Sequence, residues 1–217
     1  MRKENRKYFF TVEGETEKWY FEWLQRTINL TPTALYTVKL DCPIQKDPLK
    51  RAKGLITLEK TDITHVMDRE SEEEIHVRQF EIALDRMKSA EKIVKSVKYN
   101  LGYSNFAFEL WIVLHKADCN GSLTYRHQYL PLLNRAYSER FENLDQYKHE
   151  DNFKRILAKL TIDDVRQAIR RSKAIMNINQ ENGYVLRQYK GYRYYIENPS
   201  LSIWEVIEKI MAKSGLL

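Results

Sequence analysis

Over the first hundred residues, apolar side chains come either in unbroken runs or at helical spacing, and the two patterns alternate. The run Tyr8-Phe9-Phe10-Thr11-Val12 predicts a strand over 7–13, apolar without alternation, as central strands of parallel sheets are. Tyr20, Trp23, Leu24 and Ile28 then recur on one face of a helix over 15–30. A second strand follows at 34–40 (ALYTVKL), a helix over 48–60 with Pro48 in its first turn, and a third strand at 62–68 (DITHVMD). Phe80, Leu84, Met87, Ala90 and Val94 make the stripe of a long helix over 78–96, with a short strand near 97–101 after it. Strands alternating with helices imply an α/β fold built on a parallel sheet with right-handed crossovers. Ligands of such sheets bind beyond the carboxyl ends of the strands.

From about residue 102 the pattern is mostly helical. Helices are expected at 106–115 (FAFELWIVLH), near 122–142, and at 150–160 and 162–180. An aromatic and basic stretch, YVLRQYKGYRYYI, covers 184–196. The last helix spans 202–214, with Ser202 and Glu205 as its capping box and Gly215 as its stop. This divides the chain into an α/β core, 1–101, and a helical C-terminal part, 102–217, packed on it.

Composition narrows the class. The 217 residues are 43% hydrophobic and 30% charged, with only 7 Gly and 5 Pro, which fits a folded soluble chain rather than a linker-rich one. The net charge of +6 tilts toward anionic partners. Two cysteines, Cys42 and Cys119, make neither a disulfide framework nor a zinc pattern. The basic N-terminus has too short an apolar run for a signal peptide, and FAFELWIVLH is too short to span a bilayer. A cytoplasmic protein is expected.

Two carboxylate clusters fall at strand ends. Glu13 closes the first strand, with Glu15 and Glu17 behind it; Asp68-Arg69-Glu70 closes the third, 68 − 13 = 55 residues later. On one sheet edge they converge, and clustered hard oxygen ligands suit Mg²⁺ or Mn²⁺. Such a cation binds a phosphate oxygen and lowers the pKa of a water. Gly14 allows a sharp turn and leaves room beside the carboxylate. Glu15 and Glu17 also fit as favourable charges in the first turn of a helix, and SEEE (71–74) as a solvated run. Glu109 and His115 lie six positions apart, roughly 120° around a helix axis, so they do not share a face. Glu109 is either a third carboxylate of the site or a first-turn charge. His115 either assists proton transfer or phosphate binding, or interacts with the helix dipole from the last turn.

A glutamate followed by glycine after the first strand, and an Asp-x-carboxylate after the third, resemble the motifs of a Toprim domain, with Glu70 where that pattern has a second Asp. A closer likeness runs over most of the chain. YFFTVEGETEKWYFEWL at the start, SNFAFELWIVLH at 104–115 and NPSLSIWEVIEKI at 198–210 resemble the RloB/AbiLii family of small Toprim-like phage-defence proteins. Ser104, Asn105, Phe108, Glu109, Trp111 and His115 match the family's central run, where Phe106 replaces its usual Pro. Asn198, Pro199 and Ser200 match the late one, with Leu201 at its Thr position. The resemblance implies abortive infection or phage resistance, a nuclease-like site built on Glu13, Asp68 and Glu70, and an AAA/ABC-type ATPase partner.

The basic residues suggest where a nucleic acid would lie. Arg166, Arg170 and Lys173 share a helix face, and Lys190 and Arg193 sit among tyrosines in YKGYRYY. Cations hold phosphates and aromatic rings stack on unpaired bases, which suits single-stranded or looped RNA or DNA, such as a tRNA. A solvated face beside core tyrosines is the alternative. Two functions follow: a metal-dependent nuclease, or a non-catalytic nucleic-acid-binding or regulatory module docked on the ATPase. The oligomeric state is left open.

Overall fold

The computed structural model describes residues 3–55, 59–119, 121 and 123–217. The chain runs β1 (Asn5–Thr11), α1 (Glu15–Leu30), β2 (Thr37–Asp41), α2 (Pro48–Gly54), β3 (Thr61–Asp68), α3 (Glu74–Ile93), β4 (Val97–Asn105) and α4 (Glu109–Leu114). A 3-10 turn, Arg126–Gln128, leads into α5 (Tyr129–Tyr137), α6 (Leu144–Lys148), α7 (Glu150–Ala158) and α8 (Ile162–Glu181). The hairpin β5 (Arg187–Tyr189) and β6 (Tyr192–Tyr194), the short β7 (Ser200–Leu201) and α9 (Ile203–Lys213) complete it. The main sheet has the order β2-β1-β3-β4-β7, parallel except for the antiparallel β7. The fold is thus α/β, with a mostly parallel sheet flanked by helices.

Both faces of the sheet are covered, which is why β1 and β3 read as apolar runs. On one face Phe10, Val12 and Val66 pack against Tyr20, Phe21 and Leu24 of α1 and against the whole of α4. On the other, Ile63, Met67, Tyr99 and Tyr103 meet Phe80, Leu84 and Met87 of α3 and the hairpin tyrosines Tyr192 and Tyr194. The first of these cores draws on residues from Phe10 to Leu216, and residue 101 lies within β4. Among the described residues no helix is long and apolar enough to cross a membrane.

Several expected boundaries move for local reasons. Strand β2 starts at Thr37 because Ala34 closes a turn on the Thr31 carbonyl. Helix α2 ends at Gly54; residues 56–58 of the helix expected there lie outside the described residues. The helix expected over 122–142 is confined to α5, which stops where Ser138 turns left-handed at φ 55°. The Ser202–Glu205 capping box does not form. Ser202 Oγ donates to the Leu101 carbonyl at 2.8 Å and accepts from the Tyr103 amide at 3.2 Å, so it ties α9 to β4 instead. Gly215 does stop α9, at φ 70°.

Candidate active site

The sheet order creates a switch point. From β1 the chain crosses to β2 on one side, then returns to β3 on the other, so the carboxyl ends of β1 and β3 border a crevice. Glu13 stands one residue beyond the Val12 bridge at the end of β1, and Asp68 is the last residue of β3. They meet: the Asp68 amide donates to Glu13 Oε2 at 3.2 Å. Strand alternation sends Arg69 the other way. It is buried, donating to Glu72 at 2.6 Å and to the Ile196 carbonyl at 3.1 Å. Glu70 returns to the crevice, with His76 Nε2 at 3.5 Å and Arg126 at 3.7 Å. Glu13, Asp68 and Glu70 therefore line one cleft of about 400 Å³, with Lys46, His76 and Arg86 around it.

Behind Asp68 lies a second tier. Glu109 opens α4 and is 1% exposed; Glu17, in the first turn of α1, is 6% exposed. The first-turn surface role fits Glu15, which is exposed and pairs with Lys18, but not Glu17. Gly14 serves Glu17: a Cβ there would sit 3.1 Å from Glu17 Oε2. Its backbone is extended (φ −146°), so room rather than a sharp turn is what the glycine supplies. Burial, then the charges of Glu17, Glu109 and Glu13, push the Asp68 carboxyl well above its ordinary range. Burial also raises Glu17. It lifts Glu13 to about 7, against the Asp68 amide, which favours the charged form.

One cation answers these carboxylates from inside. Lys148, at the end of α6, places Nζ 3.0 Å from Glu109 Oε1. Burial works to lower its pKa, but the carboxylates of Glu109, Asp68 and Glu17 outweigh burial and raise it. Neither Glu109 oxygen has a well-aligned hydrogen bond. Among the described residues, no three His, Cys, Asp or Glu side chains are grouped so as to hold a metal ion. Sequence reasoning missed Lys148, which is 148 − 109 = 39 residues from its partner on a helix of one turn.

The central and late sequence motifs meet at the edge of this site. Asn105 Nδ2, with two hydrogens to donate, sits within hydrogen-bonding distance of the carbonyls of Tyr195, Ile196 and Glu197 and of Ser200 Oγ. The Tyr129 hydroxyl lies between the Asn105 carbonyl, at 2.5 Å, and Asn198 Oδ1, at 2.9 Å. A family model described as RloB-like protein matches residues 8–210. The chain belongs to the RloB-like family. No curated protein and no solved structure matches it. In this RloB-like chain the motif residues play different parts. Asn105, Asn198 and Ser200 clamp β4 to β7, and Glu109 alone turns into the carboxylate cluster. His115 belongs to the core. Tyr20 Oη lies 3.1 Å from its Nε2, the Trp111 carbonyl 2.8 Å from its Nδ1, and burial lowers its pKa to about 4. It is neutral, so neither proton transfer in the cleft nor a charge on the helix dipole is its role.

The basic residues singled out in the sequence are distributed. Arg166 donates to the Leu216 carbonyl and pairs with Asp163, and Lys173 pairs with Glu208 of α9. Lys190 pairs with Asp85 of α3 at 3.1 Å. Arg170 and Arg193 are exposed.

Proposed function

We propose that this RloB-like protein is a divalent-cation-dependent phosphodiester hydrolase of the Toprim type, acting on RNA or DNA in phage defence beside an AAA/ABC-type ATPase. One observation carries the reading: four carboxylates, Glu13, Glu17, Asp68 and Glu109, converge at the switch point of a parallel sheet, answered by Lys148 inside and Lys46 at the mouth. Like charges at low dielectric are costly unless they take up protons or a cation joins them. The donors are all oxygen, the type that suits Mg²⁺ or Mn²⁺, although among the described residues no three are grouped closely enough to hold an ion, so binding would draw the carboxylates together. Glu13, Asp68 and Glu70 would hold the ion, with Glu109 behind them. When bound, it would polarise a phosphate and acidify a water. Glu13 Oε2 is engaged by the Asp68 amide, so Oε1 is the atom free to take a proton from an attacking water.

A second reading, a non-catalytic module docked on the ATPase, is favoured by Lys148, which already supplies a positive charge to Glu109. Calorimetric titration with Mn²⁺ and Mg²⁺, on wild type and on Asp68→Ala, separates the two. The hydrolase predicts binding in the wild type that disappears in the variant, and cleavage of tRNA or single-stranded DNA that disappears with it. Absence of binding in both proteins supports the docked module.

A further inference from the structure

Beside the carboxylate cleft stands a pair of aromatic rings that neither core uses. Tyr125, 57% exposed, and His127 stack at 5.6 Å between ring centres and 10° between planes. Between them Arg126, its side chain 53% exposed, reaches Glu70 at 3.7 Å. The turn is anchored at both sides. Gln128 Oε1 accepts from the amides of Thr124 and Tyr125, at 2.7 and 3.1 Å, and Tyr129 is held on Asn105 and Asn198. Tyr125 contributes to a broad hollow of about 640 Å³, whose Ser71 follows Glu70 of the carboxylate cleft in the chain. Its floor and walls include Phe106 and Leu123, but also Glu72, Glu73 and Glu197.

The linings of the two hollows differ in their cations. Lys46 and Arg86 line the first, among the carboxylates of Glu13, Asp47, Asp68 and Glu70, and Arg126 stands at its edge on Glu70; these are the cations a phosphate can meet. The three glutamates of the second repel a phosphate, while its apolar and aromatic lining accepts a base. We propose that Tyr125 and His127 form a stacking platform for an unpaired base of a single-stranded nucleic acid, with Arg126 turning from Glu70 to the adjoining phosphate. A paired base has both faces covered within its stack, so a duplex does not fit the platform.

This rests on the hydrolase reading for its substrate class, but binding is measured without turnover. Fluorescence anisotropy in EDTA would follow labelled single-stranded DNA, RNA of the same sequence, and the DNA duplex. The expected result is tighter binding of single strands than of duplex, with Tyr125→Ala weakening single strands about tenfold, as loss of one stacking partner does. Tyr125→Phe should restore the affinity, because the ring and not the hydroxyl is the platform. DNA and RNA arms tell which backbone is preferred. Wild-type affinity in Tyr125→Ala, equal affinity for duplex, or no binding of any oligonucleotide overturns the platform. Asp68→Asn run alongside keeps the two ideas apart: oligonucleotide binding retained with no metal-dependent cleavage in the wild type sinks the hydrolase and leaves the platform standing.

Discussion

Glu13 carries a consequence that solution chemistry can read. Its carboxyl rises from the ordinary 4.5 to about 7 in the folded chain, so the folded state holds a proton that the unfolded state has released. That preference destabilises the fold as pH climbs from about 4.5 to about 7, and the loss is complete above 7. Glu13→Gln keeps an oxygen for the Asp68 amide and cannot ionise. Urea unfolding in EDTA should give equal stabilities for the two proteins near pH 4.5. The variant should be more stable by about 2 kcal/mol at about pH 8, allowing for the part of Glu13 that water reaches. Comparing two proteins cancels His65 and His115, both lowered to about 4 by burial, but not Asp68, whose carboxyl is raised in part by the Glu13 charge and relaxes in the variant, an effect of the same sign. Glu13 and Asp68 were legible because a carboxylate at the end of an apolar strand is conspicuous. Glu17 was not, since the same residue in a first helical turn has an ordinary explanation and only its burial near the Glu109 charge removes it.

Among the elements, β7 is the smallest and has the largest leverage. Two residues long, it pairs with Ser104 and Asn105 and fixes where β4 ends. Four residues later α4 opens with Glu109. Asn105→Ala would strip one amide group from three backbone carbonyls and Ser200, costing about 2–4 kcal/mol by urea titration. Under the proposed hydrolase reading it should also weaken Mn²⁺ binding, although Asn105 touches no carboxylate of the cluster. Unchanged stability would mean that the clamp is not what holds the edge. The sequence pattern foretold helix α1 to the residue and the alternation of the first four strands with helices, because α1 buries a face with a clear period and the buried strands stand out as apolar runs. It was blind to β7 and to the β5–β6 hairpin, whose strands are too short for a period to show. It also gave Ser202 a local cap, where the hydroxyl instead serves a strand about a hundred residues away.

For the molecule as a whole, the apparent seam at residue 101 is a change of composition that the packing crosses. The face of the sheet under α1 is covered by α4, α8 and α9, so a fragment of residues 1–101 would expose Phe10, Val12, Tyr20 and Leu24. Each large buried side chain is worth roughly 1.5–3 kcal/mol, and a domain's whole stability is only about 5–15 kcal/mol. The fragment should show fast amide exchange and no cooperative thermal transition, where the intact chain melts sharply. Lys148 escaped sequence reading for the same reason: its meaning lies in a contact made across the fold, not in its neighbours in the chain.

The Asn105 clamp also sets a timetable for biosynthesis. Glu109 is translated 201 − 109 = 92 residues before Leu201, a delay of roughly 5–18 s at ordinary rates of synthesis. Through that interval β4 has no β7 partner, and the turn leading to Glu109 lacks the part of its anchor that comes from residues 195–201. A ribosome that stalls or falls off before residue 201 releases a product with an unassembled site, so the cell making this protein meets no finished carboxylate cluster until nearly the last helix has emerged.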